Sequence, residues 1–120
     1  MPIKIESWVD IHTQRYGHGK GQYVIGNLIS RAKDLEIKEM PINHLNFSDL
    51  ALDAGDTLRQ FVRQMKAVLE ADLKFPIILD EDGYVMDGRH RIAKALLEEK
   101  ESIKFVRFEK TPMPDYYEDE

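Results

Sequence analysis

The chain has 120 residues, a length that fits one domain with a core of its own. Hydrophobic residues make up 42% of the chain and charged residues 32%, which is typical of a globular domain, and there is no cysteine. The composition therefore excludes disulfides, thiol nucleophiles and zinc–thiolate or iron–sulfur sites, and it favours the cytoplasm. No apolar run approaches the ~18 residues of a membrane span, and residues 1–10 lack the apolar centre of a signal peptide, so no membrane partner is expected.

The net charge of −5 is unevenly distributed along the chain. Residues 111–120, TPMPDYYEDE, carry four acids and no base, so the remainder is close to neutral. We expect this tail to be disordered, or to dock on a basic protein partner. A near-neutral body argues against DNA as a partner, although a local basic cluster could still bind a phosphorylated small molecule.

The first third of the chain predicts a helical extension followed by an edge strand. Residues 15–22, RYGHGKGQ, are interpreted as a glycine-rich loop and residues 22–35 as a helix. Residues 37–45 are predicted to form an edge strand, because Pro41 cannot donate to a sheet. We therefore divide the chain into an extension at 1–36, a main domain at 37–110 and the acidic tail at 111–120.

The clearest helix pattern covers residues 57–73, with Asp56 as the expected N-cap. Its apolar residues recur at three- and four-residue steps and are expected to form the buried face: Leu58, Phe61, Val62, Met65, Leu69 and Leu73. Arg59, Arg63 and Lys66 lie on another face. We interpret them as a solvated stripe, with Arg59 and Arg63 as secondary candidates for holding a nucleotide.

The second half of the chain predicts a hairpin, a helix and a strand. Residues 75–79 and 84–87 flank DEDG, which places Asp82 and Gly83 in the turn. A helix is expected from about Arg89 to Glu99, with Ile92, Ala93, Leu96 and Leu97 on its inner side, and a strand at 103–108. The element order predicts an α+β fold in which helices pack on a small mixed sheet.

The sequence Asp87-Gly88-Arg89-His90-Arg91 joins the second hairpin strand to the following helix. A helix N-terminus offers unpaired N–H groups and a partial positive charge, so additional cations there favour an anionic ligand. We expect Gly88 to let that ligand approach the backbone, Arg89 and Arg91 to hold phosphate oxygens, and His90 to donate or carry a proton.

Asp87 admits three interpretations. It could cap the helix, hold a bridging Mg²⁺, or act as a base toward a substrate hydroxyl. The four histidines show no metal-ligand spacing, so the sequence predicts no metal site made of protein ligands alone.

The stretch FPIIL-DEDG-YVMDGRHRIAKALLEEKESIKFVRF resembles the core of the ParB/sulfiredoxin superfamily, and the resemblance covers roughly residues 37–109. It implies a ParB/sulfiredoxin-like fold and a nucleotide or phosphate site at Gly88. ParB proteins bind CTP at a glycine-x-arginine-arginine box. Sulfiredoxins use ATP at a glycine-cysteine-histidine-arginine box. Free serine kinases use ADP at an aspartate-glycine-histidine-histidine-arginine box. Asp87 to Arg91 is closest to the last two.

Two departures narrow what the resemblance implies. Arg89 stands where sulfiredoxins have the reactive cysteine, which excludes that reaction, and no residue matches the catalytic glutamate of the serine kinases. The expected function is nucleotide or phosphate binding, with hydrolysis or phosphate transfer in which Asp87 and His90 are the catalytic candidates. The nucleotide is ATP, ADP or CTP, with Mg²⁺ as an accompanying ion. The alternatives are a ParB-like nuclease or DNA-associated protein, and a non-catalytic protein-interaction module.

Overall fold

A computed structural model of the chain describes residues 2–7, 15–18, 21–45, 50, 52 and 56–117. The described residues form an α+β fold with two sheets and three helices. The strands are β1 (Arg15–His18), β2 (Gly21–Val24), β3 (Lys38–Pro41), β4 (Ile77–Leu79), β5 (Val85–Asp87), β6 (Ser102–Arg107) and β7 (Tyr116–Tyr117). The helices are α1 (Ile25–Ala32), α2 (Leu58–Glu70) and α3 (Arg89–Leu97), with one 3-10 turn at Ile42–His44.

The larger sheet has the strand order β3-β6-β4-β5 and carries the core on both of its faces. Only β4 and β6 pair in parallel, so the sheet is mixed as predicted, and β3 lies at an edge where Pro41 is tolerated. Successive strand residues point to opposite faces. Ile78 packs toward α1, while Ile77 and Leu79 pack toward α3, which gives a helix–sheet–helix arrangement.

Residues 15–18 and 21–24, which belong to the predicted glycine-rich loop and to the start of the predicted helix at 22–35, are instead strands, while residues 19 and 20 lie outside the described residues. β1 and β2 pair antiparallel, and α1 begins only at Ile25. Tyr23 explains the difference, because its ring packs in the core with Ile25 and Leu28, and a strand presents it there. Tyr16, on the paired strand, lies 5.9 Å from the Tyr23 ring centroid.

The predicted buried face of α2 is wrong. Leu58, Phe61, Met65 and Leu69 are exposed, whereas Gln64, Ala67 and Val68 are buried. Short side chains on that second face let α3 approach closely, and Gln64 hydrogen-bonds to α3 there. Likewise in α3, Ile92 and Ala95 are buried but Leu96 and Leu97 are exposed.

The N-cap of α2 is Thr57 and not Asp56. The Thr57 hydroxyl accepts from the Gln60 N–H at 3.1 Å, and the Gln60 side chain accepts in return from the Thr57 N–H at 3.1 Å. This reciprocal pair is a capping box.

The tail is ordered as far as Tyr117, contrary to the expected disorder, while 118–120 lie outside the described residues. β7 pairs antiparallel with β2 to complete the smaller sheet, β1-β2-β7. The Asp115 carboxylate accepts from the Val24 N–H at 2.7 Å, and its other oxygen pairs with Arg31 at 3.1 Å. Backbone hydrogen bonds to β2 and this carboxylate together overcome the mutual repulsion of the tail acids.

Asp115→Ala is therefore expected to lower the free energy of unfolding by about 1–2 kcal/mol, because it removes the carboxylate that accepts from the Val24 N–H at the start of α1 and pairs with Arg31. Chemical denaturation measures this loss, with the exposed Glu109→Ala as the control. Identical stability of the two variants would show that the tail does not hold α1.

Candidate functional site

Gly88 is required by the packing of the chain itself. Its φ is +116°, a conformation that L side chains rarely adopt, and a Cβ built there would lie 2.5 Å from Cγ2 of Ile77. The missing Cβ therefore makes room for the core of the sheet and not for a ligand. Gly88 also occupies the N-cap position of α3, with no side-chain cap, which excludes Asp87 as the cap.

Asp87 and Arg91 form an ion pair across the first turn of α3. The guanidinium donates to the Asp87 carboxylate at 2.7 Å and to the Pro76 carbonyl at 2.5 Å. Both side chains are largely shielded, with 15% of Asp87 and 18% of Arg91 exposed. Asp87 thus has Arg91 as its partner. Arg91 is held in place by two hydrogen bonds, and other N–H donors of its guanidinium group can still bind a ligand.

His90 is held by α2. Its Nε2 lies 2.6 Å from the amide oxygen of Gln64, a polar side chain that is itself buried. Burial lowers the pKa of His90, the neighbouring Arg91 lowers it further, and Asp87 partly opposes both. The imidazole is therefore neutral at neutral pH, and it can exchange a proton without adding a permanent charge to the site.

Arg89 lies apart from the other two basic residues. Its guanidinium is placed over the ring of Tyr16, 5.9 Å from the centroid, in a cation–π contact. Burial raises the pKa of Tyr16 and Asp80 adds to the effect, while Arg89 acts in the opposite direction. The predicted phosphate role of Arg89 would require it to leave this ring.

A cavity of about 790 Å³ lies beside the first turn of α3. Gly88, His90, Arg91 and Asp87 are among the residues that line it, so four of the five residues of the predicted box meet at one cavity. Its walls are mostly apolar and come from α1, α2 and the sheet: Ile29, Ala32, Ala67, Phe75, Ile78 and Val106. This size falls within the range of small-molecule pockets.

Arg59 and Arg63 do not line this cavity. Both pair with Glu6, whose carboxylate lies 3.7 Å from Arg59 and 3.3 Å from Arg63. The nearby Lys66 ammonium donates to the Ile5 carbonyl at 2.6 Å. The two secondary candidates thus hold the N-terminal segment at 2–7.

Sequence reasoning missed Gln64 and Glu6. The sequence around Gln64 does not predict that this side chain is buried, because its burial depends on α3 packing against this side of α2. Glu6 lies more than fifty residues from its partners, so no spacing rule connects them.

The part of the chain that the structure describes contains no group of three or more acidic, histidine or cysteine side chains that could hold a metal ion. Within the same residues, no helix has the length and apolar character needed to cross a membrane. Comparisons with protein-family models, with curated proteins and with solved structures found no match to this chain.

Proposed function

We propose that the chain binds a nucleotide, with its phosphates at the first turn of α3 and its base in the apolar cavity. The observation that carries this proposal is that Gly88, His90 and Arg91 line the same cavity as a set of apolar side chains. The first N–H groups of a helix have no partner within it, and they favour an anion. Apolar walls next to such a turn suit a ligand with a flat base and a charged end.

The proposed roles follow the geometry of the box. Arg91, already fixed by Asp87, contributes the remaining donors of its fork to phosphate oxygens. Arg89 would join it by leaving Tyr16, whereas Arg59 and Arg63 pair with Glu6 outside the cavity and take no part in this proposal. The neutral His90 accepts a proton and can then return it, and Asp87 positions Mg²⁺ or a hydroxyl, if the bound nucleotide is hydrolysed or its phosphate transferred.

The resemblance to the ParB/sulfiredoxin superfamily supports the same proposal and limits the nucleotide to ATP, ADP or CTP. The element order of β4, β5, α3 and β6 agrees with the layout of those proteins. We place this function in the cytoplasm, which the absence of cysteine favours.

The test is a thermal-shift and calorimetric panel of ATP, ADP, CTP and GTP, each with and without Mg²⁺, and with inorganic triphosphate as the phosphate-only probe. A ligand present at about 100 times its Kd adds about 2.7 kcal/mol of stability. A panel in which no nucleotide stabilises the protein would contradict nucleotide binding and leave the interaction module as the function.

Two exposed phenylalanines give a matched pair of variants. Phe75→Ser is expected to weaken nucleotide binding about tenfold, because base–aromatic contact is worth about 1–3 kcal/mol, and to leave triphosphate binding unchanged. Phe61→Ser, which removes a ring outside the cavity, is expected to change neither. Equal affinities of both variants for the nucleotide would place the base elsewhere.

A further inference from the structure

One side of α2 exposes a stripe of large apolar side chains. Leu58 is 79% exposed, Phe61 49% and Leu69 57%, and Met65 lies between them. These four residues follow one another at steps of three, four and four, so they form a continuous line along the helix. Four apolar anchors at this spacing are typical of helices that dock against an amphipathic partner.

A cationic face lies next to this stripe, about a third of a turn around the helix. It consists of Arg59, Arg63 and Lys66, and the N-terminal segment at 2–7 lies along it. The segment contributes one carboxylate, from Glu6, and one backbone carbonyl, from Ile5. The cationic face thus already binds a stretch of peptide through the groups that an acidic peptide offers.

The contact with the segment is open to exchange. The Glu6 side chain is 61% exposed, and its distances to the two guanidinium groups are 3.3 and 3.7 Å. Exposed ion pairs of this kind contribute little to stability, because solvent screens their charges. A second acidic segment that also covered the apolar stripe would bury apolar surface, which the contact with Glu6 does not.

We propose that the stripe Leu58, Phe61, Met65 and Leu69, together with Arg59, Arg63 and Lys66, forms a docking surface for an acidic amphipathic segment of a partner protein. The apolar side chains of the partner cover the stripe, and its carboxylates replace Glu6 on the two arginines. None of these seven residues lines the cavity, so the docking surface lies outside the proposed nucleotide site.

Charge complementarity favours an acidic partner over a second copy of this chain. A two-fold axis perpendicular to the helices, which pairs two α2 helices antiparallel through their stripes, sets the same flank of each helix side by side. Arg59 and Lys66 of one copy would then face the same cations of the other. An acidic segment meets that flank with opposite charge.

The probe is a fluorescein-labelled synthetic helix of about four turns, with leucine at three- and four-residue steps and glutamate at the other positions. A matched peptide carries lysine in place of glutamate. Fluorescence anisotropy is expected to show binding of the glutamate peptide only, with an affinity that falls as salt is raised. Equal binding of both peptides, or of neither, would overturn the proposal.

Four variants assign the contacts. Glu6→Gln is expected to tighten binding about threefold, since it removes the competing carboxylate. The pairs Arg59→Gln with Arg63→Gln, and Phe61→Ser with Leu69→Ser, are each expected to weaken it about tenfold or more. Leu97→Ser, at an exposed leucine of α3, is the control and leaves affinity unchanged.

Circular dichroism and melting curves are measured for each variant as a check of folding. We expect each variant to be folded, because every substituted side chain is wholly or partly at the surface. Unchanged affinity in the arginine pair would overturn the proposal. So would sedimentation equilibrium that found a wild-type dimer dissociated by Phe61→Ser with Leu69→Ser, because a second copy would then occupy the stripe.

Discussion

Gly88→Ala is expected to destabilise the fold by about 2–6 kcal/mol, enough to unfold a marginally stable domain. Two effects combine at this residue. A φ of +116° strains any residue with a side chain by about 1–3 kcal/mol, and overpacking of a filled core costs about 1–3 kcal/mol more. The new Cβ would lie 2.8 Å from Cβ of Ile77 as well as 2.5 Å from its Cγ2, so either β4 or the start of α3 has to move.

Gly83→Ala separates the two effects. Gly83 also has a positive φ, +89°, but the nearest atom to its missing Cβ is a guanidinium nitrogen of Arg107, 4.0 Å away. This variant therefore introduces strain without overlap and is expected to lose only about 1–3 kcal/mol. Urea denaturation of both variants gives the comparison. A loss at Gly88 no larger than the loss at Gly83 would show that the turn can shift away from Ile77 at little cost.

The sequence predicted well those elements whose defining residues lie within a short stretch of the chain. The hairpin of β4 and β5 follows from Asp82 and Gly83 between two apolar runs, and its turn forms there, with the Gly83 N–H donating to the Asp80 carbonyl at 3.0 Å. The start of α3 follows from Gly88, which is the N-cap. The strand predicted at 103–108 is β6, in which Ile103 and Val106 are buried in the two different core clusters.

The elements that it predicted poorly depend on contacts between distant segments. The apolar periodicity of α2 identifies a helix correctly, but burial is decided by which side α3 approaches, and that side carries Gln64 and Ala67. The tail shows no apolar pattern, yet Tyr116 pairs with Gln22, more than ninety residues away. Backbone pairing and one carboxylate hold it, and neither produces a signal in local composition.

The candidate site shows the same division. The succession of a strand, a glycine and a helix start is a local motif, and it brings Asp87, Gly88, His90 and Arg91 to the same cavity. The local motif does not determine the direction in which each side chain points. Arg89 contacts Tyr16 on the far side of the turn, and its neighbour in sequence contacts α2.

The second large effect is expected from the Asp87–Arg91 pair. Asp87→Asn and Arg91→Gln should each lower the free energy of unfolding by about 1–3 kcal/mol, between the values for exposed and fully buried pairs. Each change leaves a shielded partner without its counter-charge, since 15% of Asp87 and 18% of Arg91 are exposed. The double variant should lose less than the two single losses combined, with a coupling energy of about 0.5–3 kcal/mol. The exposed Glu6→Gln is the control, and its loss should be smaller than that of either single variant.

The same Asp87→Asn variant distinguishes catalysis from binding, provided that it is assayed well below its melting temperature. Without metal, its affinity for the nucleotide should equal or exceed that of the wild type, because a carboxylate that repels phosphate has gone and the Arg91 fork is released. Phosphate release in the presence of Mg²⁺ should nevertheless fall about a hundredfold or more, the scale expected when general acid–base chemistry is lost. Weaker metal-free binding would mean that Asp87 serves the site by orienting Arg91. Equal phosphate release by wild type and variant would remove Asp87 from the chemistry and leave it as the residue that fixes Arg91 against Pro76.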